Sequence, residues 1–256
     1  MKFGLCLYSL REQIKTEEGL EQVTRSLAEM GYSFLQFSGS PLPLSSVKAV
    51  SDRTGMPFPL THSPLDRILN DTDKLMQEHA AFGCRNIGIG CIPNPMMRDE
   101  QVAELARDLE RTAVYMEKHG FRLHYHHHHF EFRRMASGQT ILEYFISNAP
   151  HLYFITDTYW VQYGGGDILE LAKALKGRIS CVHLKDYQIV CTGGDWDVEP
   201  AFSWVGGGTL RYDKIIPALR AAGAELFIVE QDNATELPDG MEQLRRSAEY
   251  LKQFAE

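Results

Sequence analysis

Four stretches of this chain place metal-binding or acid–base residues at the end of an apolar run. The first is residues 124–132, where His124, His126, His127, His128 and His129 precede Glu131. The others are Ile155-Thr156-Asp157, Val182-His183-Leu184-Lys185-Asp186 and Val229-Glu230-Gln231-Asp232. Parallel strands buried on both faces read as apolar runs. Polar residues at their C-terminal ends are where an α/β sheet or barrel builds its site. The same event four times in the C-terminal half implies that these residues meet. A mixed set of imidazole and carboxylate donors suits a divalent cation.

The elements that must position them alternate along the whole chain. Strands are predicted at 3–8, 34–37, 58–62, 86–89, 121–128, 152–157, 179–184 and 226–230. Helical patterns fill the gaps, at about 16–30, 44–53, 71–82, 100–118, 140–147, 168–175, 212–222 and 241–254, several of them stopped by a glycine. A connection at 186–208, rich in Gly, Asp and Trp, is the one long interruption. Eight strand–helix units without a dividing linker predict one domain, 1–256. Its class is α/β, a (β/α)8 TIM barrel that leaves no strand edge open. An open doubly wound sheet is the second choice. No GxGxxG follows the first strand, which counts against a dinucleotide-binding version. Gly206-Gly207-Gly208 before a helix is either a phosphate cradle or a plain flexible turn.

The 256 residues are typical of such a barrel, and 44% hydrophobic content supplies its core. A formal net charge of −8 argues against a nucleic-acid partner, which wants a basic face. A small polar substrate fits better. No apolar stretch reaches the ~18 residues of a membrane span. The apolar start at Met1–Tyr8 is too short for a signal peptide and reads as a strand. Five cysteines, without CxxC spacing, suggest reduced thiols and a cytoplasmic protein.

Each site residue has a plain alternative. His183 and Lys185 share one face of their strand, and two such groups facing a barrel interior need an anion or a metal. Asp157 either serves the site or caps the next helix, although Thr158-Tyr159-Trp160-Val161 is a poor helix start. Glu230 ends the most apolar strand, and its alternative is a rim salt bridge. With period two, His124, His126 and His128 share one face, and His127 and His129 the other. Glu131 either folds back to a metal or pairs with Arg133 or Arg134.

Taken together, Tyr125-His126-His127-His128-His129-Phe130-Glu131-Phe132, Asp157-Thr158-Tyr159-Trp160, Gly177-Arg178-Ile179, His183-Leu184-Lys185-Asp186, Val205-Gly206-Gly207-Gly208 and Val229-Glu230-Gln231-Asp232 resemble the sugar phosphate isomerase/epimerase family of xylose isomerase-like TIM barrels. The resemblance covers nearly the whole chain. It implies one divalent ion (Mn, Mg, Co or Zn) at the C-terminal mouth, held by Glu131, Asp157, His183 and Glu230. Many relatives end strand 5 with glutamate where this chain has His126, so His126 is the alternative first ligand. Gln36 stands where many relatives carry glutamate.

The implied activity is a metal-dependent sugar isomerase or epimerase, moving a proton next to a ketose carbonyl. Glu131, Glu230, Lys185 and His126 would be catalytic, and His62, His128 and Trp160 would bind substrate. Trp204 is a further ring for a sugar face. The alternative is a lyase or dehydratase on the same barrel, as in inosose dehydratases or in elimination from a keto-glycoside. An endonuclease of the same fold would need more metal ligands and a basic groove, and a non-catalytic sugar binder would not need the acid–base set. A homodimer is expected from family habit.

Overall fold

The barrel strands are short and their side chains are almost all out of water. The computed structural model describes residues 1–194 and 196–254. Asp195, within the predicted 186–208 connection, lies outside the described residues. The strands are β1 (Phe3–Cys6), β2 (Phe34–Phe37), β3 (Leu60–His62), β4 (Asn86–Ile89), β5 (Arg122–His126), β6 (Tyr153–Asp157), β7 (Ile179–Leu184), β8 (Asp186–Cys191), β9 (Val198–Ser203) and β10 (Leu226–Val229). Eight of them close a barrel in the order β1-β10-β7-β6-β5-β4-β3-β2. Every residue of β1, β2 and β7 is buried, as apolar runs in a parallel sheet require. No helix among the described residues is long and apolar enough to cross a membrane.

Contacts divide the chain into two units. One gathers residues 1–58, 182–217 and those from Leu226 onward. Within it β1 pairs in parallel with β2, bringing Cys6 opposite Gln36, and with β10, bringing Leu5 opposite Val229. Its first helix, α1 (Glu17–Met30), starts at Thr16, whose side chain accepts from the Gly19 N–H at 3.1 Å. It ends at Gly31, with φ of 102°, a left-handed stop that glycine adopts without strain. The helix α2 (Leu44–Thr54) packs beside it.

The second unit comprises residues 59–181 and 218–225. Its strands β3 to β6 pair in parallel, with His62 opposite Gly88, Gly88 opposite His124, and His126 opposite Ile155. The predicted helix at 71–82 is α4 (Thr72–Ala80), and an unpredicted short helix, α3 (Leu65–Asn70), precedes it and joins it at Asp71. α5 (Asp99–Lys118) and α6 (Ile141–Asn148) follow. A capping box of Thr140 and Glu143 starts α6. After β6 comes α7 (Thr158–Tyr163), and then α8 (Ile168–Ala174).

The connection predicted at 186–208 contains an antiparallel hairpin of β8 and β9. Two strands make no second layer, so Ile189 and Val198 stay exposed. The helices α9 (Tyr212–Ala222) and α10 (Gly240–Leu251) complete the chain before a last 3-10 turn.

Candidate functional site

His126 is the last residue of β5 and is 3% exposed. Its Nδ1 lies 3.1 Å from the Gly90 carbonyl oxygen, which can only accept, so Nδ1 carries the hydrogen. In a neutral ring, Nε2 then presents a lone pair, and it faces Asp157 Oδ2 at 3.4 Å. Asp157 ends β6 and is fully buried. Its Oδ1 accepts from the Trp160 N–H at 2.9 Å, so the residue also caps α7. Its own N–H donates to His127 Nε2 at 3.3 Å. Asp157 therefore caps the helix with one oxygen and turns the other toward His126.

A second pair is built in the other unit. His183, in β7, has its Nε2 2.6 Å from Gln36 Oε1, on β2. With that oxygen as acceptor, a neutral ring donates from Nε2 and turns its Nδ1 lone pair toward Glu230 Oε2, 2.9 Å away. The same oxygen is 2.8 Å from Lys185 Nζ, which also reaches Asp232 Oδ1 at 3.0 Å and Oδ2 at 3.2 Å. Lys185, 1% exposed, is thus held between two carboxylates. Beneath them the Cys6 thiol is pushed well above its usual range by burial, then by the Glu230 charge.

A lone pair aimed at a carboxylate oxygen is repulsive unless a positive charge lies between them. With neutral rings a bound cation would supply it, and at Glu230 Lys185 already lies 2.8 Å from the same oxygen. The ligand atoms of His126, Asp157, His183 and Glu230 all lie within 4.8 Å of one another, and all four residues are buried. Two imidazole nitrogens and two carboxylate oxygens, with His126, His183 and Asp157 each steered by a hydrogen bond on the far side, fit a divalent ion.

Glu131 is not in this group. The 3-10 turn Phe130–Phe132 carries its carboxylate back to the Tyr125 hydroxyl, which donates at 2.6 Å, and to the His128 N–H, at 2.8 Å. Burial pushes its pKa up to about 7, against the hydrogen bonds that favour its charge. Of the two strand-5 candidates, His126 lies in the buried group and Glu131 is turned toward Tyr125. Neither arginine pairs with Glu131, because Arg133 bonds the Met97 carbonyl and Asp99, and Arg134 the Gly138 carbonyl.

The other expected residues fall nearby or elsewhere. His62 ends β3, with its ring centroid 5.5 Å from that of His126. The ring has space because Gly88 and Gly90 are bare: a Cβ on either would approach it to within about 3.1 Å. The expected common face of His124, His126 and His128 breaks up, since β5 ends at His126. His128 packs on Phe130 and Trp160, with ring centroids 5.0 and 5.3 Å away. His124 instead bonds Ser180 Oγ at 2.6 Å, and burial lowers its pKa to about 3. Trp204 serves its own turn, because the bare Gly207 sits against its indole.

The Gly206–Gly208 turn already holds an anion. Asp186 is fully buried and accepts from the N–H groups of Tyr187, Gly206, Gly208 and Leu210 at 2.8 to 3.2 Å. The amides that a phosphate would use are taken by the chain's own carboxylate.

Three contributors escaped the sequence reading of the site. Gln36 was noted only as a departure, and the Gly90 carbonyl and Cys6 thiol not at all. The signal for Gly90 was present: two glycines inside the apolar segment Ile87-Gly88-Ile89-Gly90 mark a close approach.

Solved structures share this architecture. A sugar phosphate isomerase/epimerase from Parabacteroides distasonis ATCC 8503 is 21% identical over 98% of this chain and 93% of its own, with a TM-score of 0.78. A D-allulose 3-epimerase from Methylomonas sp. is 14% identical over 99% and 97%, at 0.69. The probable 3-DHS dehydratase of petrobactin synthesis from Bacillus anthracis is 14% identical over 98% and 99%, also at 0.69. At these identities the likeness is one of fold. No curated protein matches significantly. The sequence profile of the xylose isomerase-like TIM barrel matches residues 16–254, nearly the entire chain. With eight strands closed in the same way, the chain belongs to the xylose isomerase-like TIM barrel family.

Proposed function

We propose that this protein is a divalent-metal-dependent isomerase or epimerase of a ketose or related sugar, working by proton transfer next to the carbonyl. The observation that carries the reading is the pair of histidines whose far nitrogens are pinned and whose near nitrogens face carboxylates. His126, Asp157, His183 and Glu230 would hold the ion. When bound, it would polarise the carbonyl and offset the negative charge that grows on its oxygen.

Glu230 is the base. Its carboxylate takes the proton from the carbon beside the carbonyl, and Lys185, 2.8 Å away, balances the changing charge. Asp232 shares the lysine and keeps it in place. Return of the proton to the opposite face gives an epimer, and return to the neighbouring carbon gives an aldose. Glu131, held by Tyr125 and the His128 amide, sets the turn after β5. His62, His128 and Trp160 supply imidazole and indole surfaces for the sugar.

The sugar is read as unphosphorylated. Lys185 is held by Glu230 and Asp232, and the Gly206–Gly208 amides by Asp186. The shared fold of a dehydratase favours a second reading, in which the same proton removal is followed by loss of a β-hydroxyl as water.

The test is solvent exchange. In deuterium oxide, with metal and a ketose panel, the carbon-bound hydrogen beside the carbonyl should exchange. Glu230→Gln at saturating metal should slow exchange by at least ~10²-fold. Undiminished exchange in that variant would remove Glu230 as base. An enone absorbance accompanying exchange would select the dehydratase reading.

A further inference from the structure

The donor set differs in kind from the one the family resemblance implied. That set had three carboxylates and one imidazole. Here the strand-5 position is His126, so the buried group has two imidazoles and two carboxylates. A divalent ion among three carboxylates leaves a net charge of −1, whereas among these four residues it is neutralised. Imidazole nitrogen is also the softer donor. Magnesium takes oxygen ligands and gives up water reluctantly. Affinity for nitrogen donors rises across the first-row ions toward cobalt and zinc.

His126 is built as a ligand and is not simply a ring that happens to be close. Its Nδ1 hydrogen is spent on the Gly90 carbonyl at 3.1 Å, so Nε2 is the nitrogen that faces Asp157. The missing Cβ of Gly90 also leaves space for the neighbouring His62 ring. His183 repeats the arrangement with Gln36 as its acceptor. His126 and His183 both belong to the buried group whose ligand atoms gather within 4.8 Å. Neither imidazole can turn away without leaving a buried hydrogen-bonding group unsatisfied.

We infer that His126 makes this a site for a late first-row ion of the cobalt or zinc kind and a poor site for magnesium, and that it is the residue that sets this choice. The inference rests on the metal reading proposed above.

The experiment uses the full-length protein stripped with a chelator. Cobalt and zinc affinities are read by competition with a coloured chelator, and magnesium affinity by calorimetry. Wild type should bind cobalt and zinc well ahead of magnesium. His126→Glu should gain magnesium affinity and lose cobalt affinity, so that the ratio between them falls by at least ~10-fold. A magnesium affinity equal to that for cobalt in wild type overturns the inference. So does an unchanged ratio in a His126→Glu protein whose stripped form melts like wild type. If that variant does not fold, His126→Gln replaces it: cobalt affinity falling more than magnesium supports the inference, and parallel loss overturns it. Binding of none of these ions by wild type overturns the metal reading, and this inference with it. Binding without discrimination overturns this inference alone.

Discussion

The His126–Asp157 pair and the His183–Glu230 pair present the same two groups but are supported by different materials. His126 is pinned by a backbone carbonyl, and Asp157 by the first turn of a helix. His183 is pinned by the Gln36 side chain, and Glu230 is flanked by Lys185, with the Cys6 thiol beneath. Backbone partners cannot be mutated away and hardly move. Side-chain partners can move and can carry protons. On the proposed reading, the first pair would hold the ion, and the second would hold it and react.

That contrast can be broken at several points. The largest effect is expected from removing one ligand in each pair. Asp157→Asn, which keeps an oxygen for the α7 cap, and His183→Ala should each lose the bound ion, measured as metal per chain after desalting. A full load in either variant would show that its pair does not bind metal. Next comes the outer support. Gln36→Leu should weaken metal binding about 10- to 100-fold while leaving the chain folded, the usual scale for a group that orients a ligand. An unchanged affinity would mean that His183 is held by burial alone.

The strand-5 assignment is sharpened by comparing His126→Gln with Glu131→Gln. Metal affinity should fall further in the first, since Glu131 is turned toward Tyr125. The second should show its effect in the pH dependence of melting. Glu131's folded pKa, about 7, is above its ordinary 4.5. The folded state therefore binds the extra proton between those values, and this group's contribution to stability is present at low pH and lost as pH rises through 7. Glu131→Gln should flatten that component of the melting profile between pH 4.5 and 7, and an identical slope in the variant would contradict it.

The smallest effect concerns thiols. Cys91 and Cys191 are exposed, whereas Cys6, Cys84 and Cys181 are buried, with pKa values pushed up by burial. A thiol reagent should label two sites in the native protein, and labelling of Cys6 would mean that the Glu230 side opens to solvent.

The barrel was legible because its signal is repeated: apolar runs such as Ile179–Leu184 alternate with amphipathic helices stopped by glycine. Asp157, His183, Lys185 and Glu230 stand out in the sequence because each lies at or beside the end of such a run. Where the reading went astray, a short local turn decided the outcome. Thr158-Tyr159-Trp160-Val161 has modest helix propensity, and the helix forms there because Asp157 caps it and Thr158, Tyr159 and Val161 are buried. Glu131 looked like the strand-5 carboxylate by type. Spacing along the chain does not register the 3-10 turn that swings it away. The β8–β9 hairpin was hidden because Pro200 sits inside one strand, where a lone two-stranded ribbon tolerates it. Asp186 gives no sign in the sequence that its partners are the Gly206–Gly208 amides, where a phosphate cradle and a plain turn are both readable.

The divided carboxylate of Asp157 has one more consequence. Its Oδ1 holds the Trp160 amide hydrogen while Oδ2 faces His126. A cation arriving at Oδ2 draws electron density across the carboxylate and makes Oδ1 a poorer acceptor. The Trp160 amide is therefore wired to the site as a spectroscopic reporter. Its nitrogen and proton resonances would register occupancy by the proposed ion directly, in the intact protein, without substrate or turnover.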